Sequence, residues 1–168
     1  MEEKKGMSNC IKFEEDIGKQ KPIRGILNYQ VFKNGVLIED VKGANLILNG
    51  ARNQMARLIA GDFTNRHITK IAVGVNGIPP VVTDATITGS FVKNLDGYSF
   101  PAMGQVQFNW SLGTSEANGM SIIEFGLMSE DGTLFSRRIR EDENGNPINK
   151  PINKESDISI IGQWIIIF

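Results

Sequence analysis

The stretch Gln105-Val106-Gln107-Phe108-Asn109-Trp110-Ser111-Leu112 alternates polar and apolar residues and gives the clearest indication of the fold. Successive side chains of a β-strand point to opposite faces, so the pattern predicts a strand with one face in the core. Residues 157–168 alternate in the same way, with Ile160 and Trp164 on one face. We therefore expect both Trp110 and Trp164 to lie in the core of a β-sheet.

The end of this second strand is apolar on both faces. Its last four residues are Ile165-Ile166-Ile167-Phe168, with no polar residue after them. Such a strand is expected to be central in a sheet, sandwiched, or covered by another subunit. We predict that the strand edge near Ile165, Ile167 and Phe168 forms part of an interface.

Two hairpins are predicted from their turns. Residues 23–32 and 36–38 flank Asn34-Gly35, a dipeptide that tolerates positive φ. Residues 120–128 and 133–140 flank a turn that contains Asp131-Gly132, another strong turn signal.

A single helix interrupts the β pattern. Between residues 46 and 60, apolar residues such as Leu48, Met55 and Ile59 recur at helical spacing. Asn45 or Asn49 is expected to cap its start, and Gly61 its end. The predicted fold is mainly β, an antiparallel β-sandwich or sheet with this amphipathic helix packed on it.

The domain organisation follows from the distribution of charge. Residues 1–22 are rich in lysine and glutamate and end in Lys21-Pro22, which stops a helix. We predict a charged arm at 1–22, ordered on assembly, and a single β-rich domain at 23–168.

The composition excludes several classes of function. The chain has 168 residues and a formal net charge of -1, which provides no field to attract phosphate, so nucleic-acid binding is not expected. The longest apolar run has five residues, at 164–168, against about 20 needed to span a bilayer. No secretory signal is visible, and the single Cys10 excludes an internal disulfide framework.

Catalytic groups are also scarce. His67 is the only histidine and is expected at the surface, and eight of the 19 acidic residues fall in three clusters typical of solvated loops. No grouping of nucleophile, base and orienting residue is apparent. We expect no enzymatic activity, no metal site, no cofactor and no small-molecule substrate.

A short basic cluster on the last predicted hairpin has two interpretations. Arg137, Arg138 and Arg140 form either a solvated strand edge that discourages aggregation or a set of salt links to an acidic partner. We take Arg137 and Arg138 as candidate interface residues, together with the apolar residues of the last strand.

The order of the elements resembles a known family. Residues 68–74, ITKIAVG, and then residues 79–87, PPVVTDATI, resemble the opening of the tail-collar and tail-fibre attachment domains of tailed bacteriophages. Residues 118–137 look like that family's "G-x-x-I-x-E-x-G-L-x-x-x-D-G-x-L-x-A-R" hairpin. The resemblance covers about residues 45 to 168, and a charged extension precedes it. Its motif residues are Gly74, Glu124, Gly126, Asp131 and Gly132.

The glycines of this motif have a physical role, since Gly126 permits close approach of strands and Gly132 a tight turn. Glu124 stands in an otherwise apolar strand and must find a partner if it is buried.

The resemblance implies a virion structural protein, located in the virion and in the host cytoplasm during assembly. Its partners would be tail, collar or portal proteins and further copies of itself, with no membrane partner. A carbohydrate-binding or adhesin module that contacts a bacterial surface is the alternative, which exposed aromatic residues would favour. A small enzyme is a second rival, against which the scarcity of catalytic groups stands.

Overall fold

A computed structural model describes residues 22–168 and shows a mainly β protein with one helix. The strands are β1 (Arg24–Lys33), β2 (Val36–Ile47), β3 (Ile68–Gly74), β4 (Phe91–Asn94), β5 (Gly97–Ser99), β6 (Gln105–Leu112), β7 (Met120–Ile122), β8 (Glu124–Ser129), β9 (Leu134–Ile139), β10 (Ile152–Lys154) and β11 (Ile158–Ile167). The helix α1 spans Asn49–Ile59. The predicted arm lies outside the described residues except for Pro22.

Nine strands form one antiparallel sheet in the order β4-β3-β8-β9-β2-β1-β11-β6-β5. The remaining strands, β7 and β10, pair with each other in a small second sheet. The predicted strand at 120–128 is therefore divided between two sheets. The break falls at Ile123, whose backbone N–H donates to Gly74 O and whose O accepts from Arg140 N.

The large sheet curls until its two halves pack on each other. Phe125 on β8 and Trp110 on β6 are five strands apart in the sheet order, which would separate them by about 24 Å in a flat sheet. Their ring centroids are 6.0 Å apart, and Phe125 also lies 4.8 Å from the ring of Tyr29 on β1. The core between the halves contains both tryptophans, as the alternation predicted.

The segment at 23–45 belongs to the sheet and is not an extension in front of the family-like part. β1 pairs with β11 along its whole length and β2 pairs with β9, so this hairpin joins the two halves of the sheet. Its turn has the predicted form, with φ of 48° at Asn34 and 78° at Gly35.

The helix confirms the predicted element but corrects its details. Leu48 stands at the N-cap position without a side-chain hydrogen bond, so neither Asn45 nor Asn49 caps the helix. Ile59 is exposed, because the buried face runs through Ala51 and Gln54 instead. Gly61 follows the helix with a φ of 85°, as predicted.

Candidate functional site

The loop between β3 and β4 presents apolar side chains to solvent. We call residues 75–88 the docking loop. Ile78, at its tip, is 68% exposed, and Val81 and Val82 are exposed as well. Adjacent exposed apolar groups are unusual on a monomer and typical of interaction surfaces.

A buried carboxylate holds both ends of this loop. Glu124, at the start of β8, has no exposed surface. Its Oε1 accepts hydrogen bonds from the backbone N–H of Asn76 at 3.1 Å and of Thr88 at 2.8 Å. One carboxylate oxygen therefore joins the strand to the first and last turns of the docking loop.

Arg137 completes the anchor from the neighbouring strand β9. Its Nε donates to Glu124 Oε2 at 2.8 Å, and only 3% of its side chain is exposed. Its terminal nitrogens donate to the backbone carbonyls of Ile78 at 3.1 Å and Asn76 at 3.2 Å. The guanidinium thus hydrogen-bonds to the loop's backbone while the Glu124 carboxylate neutralises its charge.

Asp84 is the third charged member of the anchor. Its Oδ2 accepts from Arg137 at 2.9 Å and from the backbone N–H of Val81 at 3.0 Å. Helix α1 adds a further restraint, since the Asn49 N–H donates to Val82 O at 2.9 Å. The apolar tip is consequently fixed from below at several points of its backbone.

Two glycines of the motif leave room for the docking loop to pack closely on the sheet. A Cβ on Gly74 would lie 2.5 Å from Ile87 Cγ2 and 2.6 Å from both Glu124 Oε1 and Thr88 O. A Cβ on Gly126 would lie 2.7 Å from Ile87 and 2.8 Å from Leu134. Gly74, Glu124 and Gly126 therefore converge on one site, although Gly74 lies on β3 and the other two lie on β8.

The other two motif residues lie elsewhere. Asp131 accepts from the Thr133 N–H at 2.9 Å and from Gln54 Nε2 at 2.6 Å, so it joins the β8–β9 turn to helix α1. Gly132 has a φ of 88°, which the tight turn requires. Both residues shape this turn and do not contact the docking loop's anchor.

The prediction that Arg137 and Arg138 face a partner is corrected by their burial. Strand β9 lies between β8 and β2, so it is not an edge, and all of its side chains are buried. Arg138 is buried on the opposite face from Arg137, where it pairs with Glu141 at 3.4 Å. Gly43 makes room for it, because a Cβ there would overlap the Arg138 guanidinium. Burial lowers the pKa of Arg138 from its ordinary value.

The last strand is central, as one of its predicted placements required. β11 pairs with β1 on one side and with β6 on the other, so its backbone is not available as an edge near residues 165–168. Ile165 and Ile167 are half-buried on its outward face. Phe168 is exposed at its end.

Phe168 forms one wall of an apolar groove. We call this the aromatic groove. It has a volume of about 780 Å³ and lies between the end of helix α1 and the segment from β5 to β6. Its exposed apolar walls are Tyr98, Phe100, Met103 and Phe168. No alternating pattern marked residues 98–104, so sequence analysis did not single out this surface.

Asp84 and the loop's apolar tip were also missed as site residues. The signal that could have indicated this loop was the run Ile78-Pro79-Pro80-Val81-Val82. An apolar stretch with two prolines suits an exposed loop more than a buried strand.

Comparison with family models, curated proteins and solved structures finds no match for this chain. Within residues 22–168, no three or more His, Cys, Asp or Glu side chains are grouped as a metal site would require. The one helix of that part of the chain is too short and too polar to cross a membrane.

Proposed function

We propose that this protein is a non-enzymatic structural protein of a phage virion, a tail-fibre or collar-type component. It docks onto neighbouring tail, collar or portal proteins and associates with copies of itself. The observation that carries the proposal is an apolar loop tip fixed by the buried pair of Glu124 and Arg137 and by the partly exposed Asp84.

The physical argument concerns the cost of ordering a loop. Fixing each residue of a mobile loop costs about 1 to 2 kcal/mol, which a binding surface must recover from its contacts. Here the buried ion pairs and backbone hydrogen bonds order the docking loop in advance. Exposed apolar side chains on such an ordered loop bind a complementary surface at a lower entropic cost than the same side chains on a mobile loop.

The chemistry of the anchor also fits a structural role. All of the Glu124 hydrogen bonds lead to the loop's backbone or to Arg137. These hydrogen bonds of the carboxylate hold the loop in place. Because the family resemblance predicts Gly74, Glu124 and Gly126 as motif residues, their convergence beneath one loop supports a shared docking role.

The virion assignment is tested on particles from a host that carries the gene. Quantitative mass spectrometry of density-purified particles should find the protein in a fixed ratio to the major tail protein. Deletion of the gene should yield particles that lack a tail or attachment structure. Absence of the protein from purified particles would overturn the assignment.

A second function is supported by one specific observation. Tyr98 and Phe100 are exposed next to each other, with ring centroids 5.7 Å apart at an angle of 72°. Exposed aromatic rings are a feature that a carbohydrate-binding module would need. Glycan-array binding that disappears in Y98A and F100A, but not in the distant exposed variant V36A, would favour this alternative.

A further inference from the structure

We propose that residues 11–17 of the chain's own N-terminal segment dock in the aromatic groove. The groove is distinct from the docking loop, so the inference does not rest on the proposed virion function. It rests on where the described chain begins, on the side chains that line the groove, and on the composition of the segment.

The N-terminal segment enters the fold beside the groove. Arg24 pairs with Ile167, the residue before Phe168. Phe168 in turn donates its N–H to Gly104 O at 2.9 Å, across the groove's wall. Paired strands lie about 4.8 Å apart, so Pro22 lies close to one wall of the groove.

The length of the intervening chain suits this placement. Residues 18–21, Gly-Lys-Gln-Lys, separate Ile17 from Pro22. Four extended residues reach about 14 Å, enough to bring Ile17 across the end of β11. This reach is sufficient for residues 11–17 to contact the groove.

The groove needs an apolar occupant. Phe100 is 74% exposed, and Met103 is fully exposed. Among residues 1–21, the only aromatic or branched aliphatic side chains are Ile11, Phe13 and Ile17, which lie within seven positions. Burying them against the groove removes apolar surface of both the segment and the groove from water, which is favourable.

Cys10 allows a direct test on the full-length chain, because it is the only cysteine and immediately precedes the segment. We would introduce M103C in the groove or, as a matched exposed control, V36C at the far end of the β1–β2 hairpin. Both variants would be placed in a glutathione redox buffer, and disulfide formation would be followed by non-reducing mass analysis. Circular dichroism would confirm that both variants fold.

We expect the M103C variant to form an intramolecular disulfide at least about tenfold faster than V36C, since docking raises the effective concentration of Cys10 at the groove. Adding F13S and I17S to M103C should slow disulfide formation, because the tether alone then brings Cys10 to the groove. A rate that F13S and I17S leave unchanged would overturn the proposal. Equal rates in M103C and V36C would overturn the proposal. Disulfide-linked dimers as the main product would also overturn it, by assigning the groove to a second copy.

Discussion

Arg137 and Glu124 form a buried ion pair on neighbouring strands, with 2.8 Å between Arg137 Nε and Glu124 Oε2. The pair lies beneath the docking loop and hydrogen-bonds to its backbone at Asn76, Ile78 and Thr88. The loop's conformation therefore depends on two charges that are removed from water. Backbone groups of Ile78, Val81 and Val82 hydrogen-bond within the protein, while the apolar side chains of these residues are exposed.

Removing the negative charge of this pair should destabilise the fold strongly. E124Q leaves the Arg137 guanidinium buried with Asp84 as its remaining carboxylate partner. Breaking a buried pair from one side costs about 3 to 5 kcal/mol, and the Asp84 contact should keep the loss near the lower value. Chemical denaturation gives the free energy of unfolding. D62N, which breaks the pairs of a partly exposed carboxylate with Arg57 and Arg66, should cost below about 1 kcal/mol. An equal loss in both variants would contradict the account.

Asp84 should control the order of the loop more than the stability of the domain. D84N weakens the hydrogen bonds to Val81 N–H and Arg137, and the side chain is partly exposed, so the loss of stability should be about 1 to 2 kcal/mol. Hydrogen exchange of the amides at 76–88 should accelerate while β6 and β11 stay protected. T83A, at the exposed neighbouring position, should leave these exchange rates unchanged. Unchanged loop exchange in D84N would count against the anchor.

Gly74 should resist even the smallest side chain. In G74A, the new Cβ meets the backbone oxygen of Thr88 at 2.6 Å as well as Ile87. Overpacking of this kind costs about 1 to 3 kcal/mol and should lower the midpoint of thermal unfolding. G97A is the matched control, because nothing lies within 4 Å of a Cβ there. A midpoint for G74A equal to that of G97A would show that the loop moves aside freely.

Acid should remove the stabilisation supplied by Glu116. The hydrogen bond from the Gly113 N–H, followed by that from Lys93, lowers the pKa of this carboxyl from its ordinary value. The folded state thus prefers the ionised form. Its contribution is fully present above the unfolded pKa, about 4.3, and is lost as pH falls through the lower folded pKa. The difference in unfolding free energy between wild type and E116Q should shrink over that window; a constant difference would contradict the assignment.

The sequence predicted the parts of the fold that local rules determine. The alternation in β6 and β11 identified the strands that hold Trp110 and Trp164, and Asn34-Gly35 identified a hairpin turn. These features depend on the two faces of a strand or on the backbone freedom of one residue. Neighbouring residues alone are sufficient to indicate them.

Features that depend on distant partners were not predicted. Arg137 and Arg138 lie on a strand that is covered on both faces, so two adjacent arginines are buried in opposite directions. Lys154 is also fully buried, where its Nζ donates to Asn118 Oδ1 at 2.8 Å. The pairing of β9 with β2, and the loop that returns over β9, depend on contacts across more than 50 positions. Local periodicity carries no information about them.

The most direct test of the docking account is the mass of the purified protein by light scattering, compared between wild type and I78D. We expect wild type to form a trimer or larger ring of the 18.6 kDa chain, while I78D is reduced to the monomer mass. V36D, which charges an equally exposed position on the β1–β2 turn, should keep the wild-type mass. A monomeric wild type, or an I78D variant that assembles as wild type does, would contradict self-association through the docking loop.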